Sequence, residues 1–133
     1  MIKHLTKPIR AIHFPVLALL MTIGTQVSAA NYKVGDVLYC QSEVGAMATA
    51  QDDWEHRRWK PLQFKFQIAS TRIEFGSTGY FKNDQMALTT LSDSYIHATD
   101  SMSLFKLMGD GRFVYASGMQ FAVNMMTGTC DKF

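Results

Sequence analysis

Leu62-Gln63-Phe64-Lys65-Phe66-Gln67-Ile68 is the stretch that decides the fold. Leu62, Phe64, Phe66 and Ile68 fall on one side of an extended chain, and Gln63, Lys65 and Gln67 on the other. A period of two describes a strand with one face buried and one wet. Arg72-Ile73-Glu74-Phe75 alternates again after the Ser70-Thr71 break. Tyr80-Phe81 and Met86-Ala87-Leu88 are short apolar pieces flanked by Gly79 and Asn83-Asp84, and Tyr95-Ile96-His97-Ala98 is a further strand candidate. Met102 to Met108 and Arg112 to Ser117 flank Gly109-Asp110-Gly111, a hairpin signal. Phe121, Val123 and Met125 alternate with Gln120, Ala122 and Asn124 before Gly128-Thr129-Cys130, and Val34 to Gln41 makes the first strand. Short strands at this spacing predict an all-β antiparallel meander.

The first thirty residues differ from the rest. Lys3, Lys7 and Arg10 precede an apolar run from Phe14 to Ile23, then Gly24, then Val27-Ser28-Ala29-Ala30. A basic start, an apolar middle and a small-residue exit describe a secretory signal, with cleavage expected after Ala29 or Ala30. The run is about half of the ~20 residues that span a bilayer, so no stable membrane insertion is expected after cleavage. No cysteine follows the exit and no twin arginine precedes it, which points to the general export route and a periplasmic or secreted domain, residues 31–133. Of 13 basic residues three lie in the signal, so ten face 11 acidic ones and the mature chain carries −1 rather than +2. A nearly neutral domain has no electrostatic footprint for nucleic acid.

Cys40 and Cys130 lie near the two ends of this domain. Two cysteines in a small exported chain read as one disulfide. In an open meander the first and last strands lie far apart, so a bond between them predicts a sheet curled into a small barrel or a half-barrel. Closing a loop of this length removes roughly 4–5 kcal/mol of unfolded-state entropy at most.

Residues 49–60, TAQDDWEHRRWK, break the strand pattern. Thr49 with Asp52 resembles a helix start and Pro61 a stop, so a short helix or ordered loop is expected after the first strand. On such a helix Asp52 and His56 would meet at i, i+4 and offer a weak metal or acid–base site, against the plainer reading of a solvated charged face. His97 reads as a structural histidine, and Ser101, Asp100 and His97 are too close along one strand for a relay. No nucleophile elbow, zinc signature or phosphate loop is visible, so neither an enzyme nor a cofactor is expected. Met102, Met108, Met119, Met125 and Met126 cluster late in the chain. Thioethers bind monovalent copper, but methionine more often fills cores. Trp54, Arg57, Arg58 and Trp59 form the richest candidate surface, since Trp and Arg lead at binding hot spots. The alternative is that both tryptophans cover one end of the core.

Three patches resemble a group of small exported bacterial proteins of unknown function: Leu38-Tyr39-Cys40, Trp59-Lys60-Pro61 with Phe64-Lys65-Phe66, and the ending Gly128-Thr129-Cys130-Asp131-Lys132-Phe133. The resemblance implies a compact β domain bridged between its ends and brings no activity, cofactor or catalytic residue. The plan is also similar, in architecture only, to bacterial periplasmic lysozyme inhibitors, whose inhibitory motif is not found here. Lipocalins match less well, because the early Gly-x-Trp is missing. The expected role is therefore non-enzymatic binding of a protein partner, as an inhibitor or immunity factor, with a small-ligand or copper carrier as the alternative and an enzyme with an unrecognised site as the third.

Overall fold

The computed structural model describes residues 31–52 and 56–133. The expected signal, residues 1–30, therefore lies outside the described residues, as does Trp54. Nine strands follow in order: β1 (Val37–Thr49), β2 (His56–Arg58), β3 (Gln63–Ile68), β4 (Arg72–Phe75), β5 (Gln85–Ser92), β6 (Tyr95–Thr99), β7 (Ser103–Met108), β8 (Arg112–Met119) and β9 (Ala122–Lys132). From β3 onward each strand pairs antiparallel with the next, β9 returns to β1, and β1 pairs with β3. The sheet is a closed barrel of eight strands, with β2 added along the outer part of β1.

The seam is direct. Cys40 and Cys130 are register partners on β1 and β9, both buried, with Cα atoms 4.0 Å apart and a disulfide between them. That spacing suits the close pairs of an antiparallel ladder, whose Cα atoms lie ~4.5 Å apart. Next to it, Gly128 lies opposite Ser42 and Phe113. A Cβ there would stand 2.7 Å from Ser42 Cα and 2.8 Å from Phe113 Cε1, so only glycine lets the seam close around the ring.

Inward positions are filled rather than hollow, as small barrels require. Phe64 meets Phe113 edge-on at 5.3 Å, and Phe66 meets Phe105 at the same centroid distance. Phe81, carried on the loop between β4 and β5, stacks on Phe75 at 4.5 Å and closes the core toward the end where β1 finishes, here the upper end. At the lower end Leu38, Ile68, Ile73, Ile96 and Leu107 are fully buried.

The chain entering at residue 31 seals that lower end. The buried Tyr32 hydroxyl donates to Met108 O at 2.8 Å. Asp36, also buried, accepts from Lys33 N at 2.9 Å and pairs with Lys132 Nζ at 2.7 Å, while Lys132 also donates to Asn31 O. Burial alone would push the Asp36 carboxyl up. The hydrogen bonds from Lys132 and Lys33 and the charges of both lysines outweigh it and hold the group below the usual carboxylate range. Burial, with the Asp110 charge behind it, pushes the Tyr32 phenol up to about 12.

Several expectations need correcting. Of the helix or loop expected after β1, the described residues form one 3-10 turn, Ala50–Asp52, and a short strand, β2, that begins at His56. The first strand starts at Val37 rather than Val34 and runs on to Thr49, passing a bulge between Ser42 and Val44. Ser42 is the branch point. Its N–H donates to Leu62 O and its Oγ accepts from Leu62 N, so β3 peels away there and β2 takes over the edge. The alternation in β9 is real, but its apolar members Val123 and Met125 face solvent, and Asn124 and Met126 face inward.

Three outcomes test this account. Replacing both Cys40 and Cys130 by Ser should lower unfolding free energy in urea by up to roughly 4–5 kcal/mol, and Gly128→Ala by about 1–3 kcal/mol or more through overpacking. Asp36 favours the folded state as a carboxylate, so its contribution is present above about pH 4 and lost as pH falls through its depressed folded value. Tyr32 favours the folded state as a neutral phenol, so its contribution is complete below about pH 10 and fades as pH rises toward 12. Urea midpoints measured against pH should therefore drop on both limbs, with Asp36→Asn flattening the acid limb and Tyr32→Phe the alkaline one.

Candidate functional site

The tryptophan–arginine segment has its place because β1 outruns β3. The exposed backbone of β1 above Ser42 needs a partner, and β2 supplies it: Ala48 pairs with His56, Met47 with Arg57 and Ala46 with Arg58. Trp59 then donates its backbone N–H to Gly45 O at 2.9 Å and lays its ring on that glycine, where a Cβ would stand 3.3 Å from Trp59 Cε3. Its other neighbour is Tyr80, at 5.2 Å between ring centroids. Tyr80 in turn meets Phe81 at 4.9 Å, so an unbroken line of rings runs from Trp59 into the core. Burial, then Tyr115 and Asp84, raises the Tyr80 phenol. Trp59 is thus half-buried and fills the wall between β2 and the β4–β5 loop, which is the core-covering role for this tryptophan.

Arg57 and Arg58 are both exposed. Successive strand residues point to opposite faces. Arg58 therefore shares a face with Ala46 and, one strand further, Met125; Arg57 shares the other with Met47 and Asn124. The two side chains therefore leave the strand on opposite faces. The inner face near Arg57 is polar: Asn124 Nδ2 donates to Ser117 Oγ at 3.1 Å, and Tyr115 Oη donates to Ser103 Oγ at 3.3 Å. Asn124 Oδ1, buried, has no donor among the described residues.

The remaining candidates separate. Asp52 ends the 3-10 turn and His56 begins β2, so they are not one helical turn apart. His97 is half-buried on the outer face, in register with Thr90 and Lys106. Asp100 is engaged in its own turn, its Oδ1 accepting from Met102 N and Ser103 N at 2.7 Å each. Met126 and Met86 are core, Met108 lies at the lower end, and Met102, Met119 and Met125 are exposed. Among the described residues no three His, Cys, Asp or Glu side chains are grouped to hold a metal. A solvent-open groove of about 630 Å³ lies outside the barrel, over the outward residues Tyr39, Gln41, Gln63 and Lys65. It went unnoticed in the sequence because it is made by strands far apart along the chain.

No family model, curated protein or solved structure matches this chain.

With Trp54 replaced by Phe, the emission of Trp59 alone should be blue-shifted from free indole and weakly quenched by acrylamide. Trp59→Ala should cost about 1–3 kcal/mol in urea unfolding. A fully exposed Trp59 signal, or no loss of stability, would contradict its place in the wall.

Proposed function

We propose that this chain is an exported, non-enzymatic binding module that recognises another protein at its upper end, in the manner of an inhibitor or immunity factor. One observation carries the reading: an edge strand presents two exposed arginines beside a tryptophan braced by Gly45 and the Tyr80–Phe81 rings. Rigid support of a Trp–Arg cluster lowers the ordering cost of association. The Cys40–Cys130 bond is consistent with an oxidising, exported location. The interior positions that a carrier would devote to cargo are filled by phenylalanine rings, which favours recognition on the surface over carriage within. Trp54 belongs to the same segment and is assigned here as a second apolar anchor.

The test is affinity purification of the exported, oxidised protein from periplasm, with partners quantified by mass spectrometry. A specific partner should lose at least about tenfold in recovery with Trp54→Ala plus Arg58→Ala, a loss near 1.4 kcal/mol or more. Full retention by the double variant would refute the assignment.

A further inference from the structure

Exposed apolar side chains gather at the β8–β9 hairpin, at the upper end. Met119 pairs with Ala122 across the turn Gln120-Phe121, Gly118 with Val123, and Ala116 with Met125. Gly118 N donates to Met102 O at 2.9 Å, which sets Met102 beside the same hairpin. Met102, Met119, Phe121, Val123 and Met125 are each more than half exposed, and three of these five are methionines. A thioether differs from other apolar groups in one respect: its sulfur carries lone pairs open to an oxidant.

Folding sorts the methionines sharply. Met102, Met119 and Met125 are 57%, 61% and 51% exposed, whereas Met86 and Met126 are at 3% and 1%. Met125 and Met126 are neighbours in the chain and sit on opposite sides of β9. The seam fixes which is which. Cys130 faces inward to reach Cys40, and the alternation carried back along the strand puts Met126 in the core and Met125 in water. Thiols are ordinarily the sulfurs that oxidise most readily. Here both cysteines of the chain are engaged in the buried Cys40–Cys130 bond, so the exposed thioethers are the first sulfurs an oxidant meets.

We propose that the β8–β9 hairpin is an oxidation site: a peroxide converts Met102, Met119 and Met125 to sulfoxides and turns this apolar tip polar while the barrel stays folded. In each step a sulfur lone pair attacks one oxygen of hydrogen peroxide. An S–O bond forms as the O–O bond breaks, sulfur gives up two electrons, and the other oxygen leaves as water after a proton shift. The sulfoxide oxygen accepts hydrogen bonds, so it is tolerated where water reaches it and unfavourable in the core. Met126, fully buried, would carry that oxygen away from water. Whatever the tip touches, three sulfoxides replace an apolar contact surface by a polar one.

The test exposes the mature protein, its disulfide intact, to hydrogen peroxide and follows each site by peptide mass spectrometry. Met102, Met119 and Met125 should oxidise at least about tenfold faster than Met86 and Met126, which react only from opened states. Fragmentation of the peptide that holds Met125 and Met126 should place the added oxygen on Met125. In concentrated urea the two rates should converge. Retention on a hydrophobic-interaction column should fall as the three sites fill, with circular dichroism and the urea midpoint unchanged. The triple variant Met102→Leu, Met119→Leu, Met125→Leu keeps an apolar tip of similar volume without sulfur, and its retention should not respond to peroxide. Met126 reacting as fast as Met125 in the folded protein, loss of structure in step with the first oxidations, or unchanged retention of the oxidised protein overturns the proposal. So does an equal fall in retention in the triple variant, or a Met125–Met126 contrast that survives in urea, since the fold would then not be its cause.

Discussion

The meeting of β1 with β9 is the constraint on which the rest of the molecule depends. An eight-stranded meander has two edges unless its last strand finds its first, and an open edge of this length invites pairing with other chains. Here the two strands are register partners from Leu38 to Thr49, with the Cys40–Cys130 bond inside the seam and Gly128 making room for Phe113 next to it. The bond restricts the unfolded chain, and the ladder restricts the folded one. Neither does the other's work: a disulfide alone would tie two ends loosely, and a ladder alone would leave a small domain with little margin.

The seam also sets parity along β9. Because Cys130 must face inward to reach Cys40, every second residue before it faces inward too, through Gly128 and Met126 to Asn124. Val123 and Met125 are left outside by the same count. An asparagine in the core and a valine and methionine in water are each unfavourable. Shifting β9 by one residue would exchange them and would break the covalent link. Local pattern yields to the bond, and rule-breaking of this kind concentrates where a surface has a task besides stability.

Much of the barrel was legible in the sequence. β3, β4 and the Gly109–Gly111 hairpin follow from alternation and turn chemistry within a few residues, and the curling of the sheet follows from the cysteines, which leave a closed barrel and a half-barrel both open. The upper half of β1 was not legible. Val44-Gly45-Ala46-Met47-Ala48 has neither strong alternation nor β-branched residues beyond Val44, and it is held extended by β9 and β2 on its two sides. For the same reason the segment at 49–60 looked helical: its composition favours a charged helix, and tertiary pairing with β1 overrides that preference. The inward row of Ser103, Ser117 and Asn124 and the groove over Tyr39 depend on strands that the chain brings together only once the barrel closes.

The two ends of the barrel are built to different ends. Below, Tyr32 and the Asp36–Lys132 pair fasten the entering chain against the core, leaving polar groups engaged and apolar ones covered. Above, the interior turns from phenylalanine to serine and asparagine, Trp59 helps complete the wall, and β2 covers the edge that β1 presents beyond Ser42. The eight remaining strands close without β2, which pairs the backbone that β1 leaves exposed above Ser42. It also carries Arg57 and Arg58 on a paired backbone. Rigidity is supplied by the sealed end and the seam, and the open end can then expose costly side chains without losing the fold.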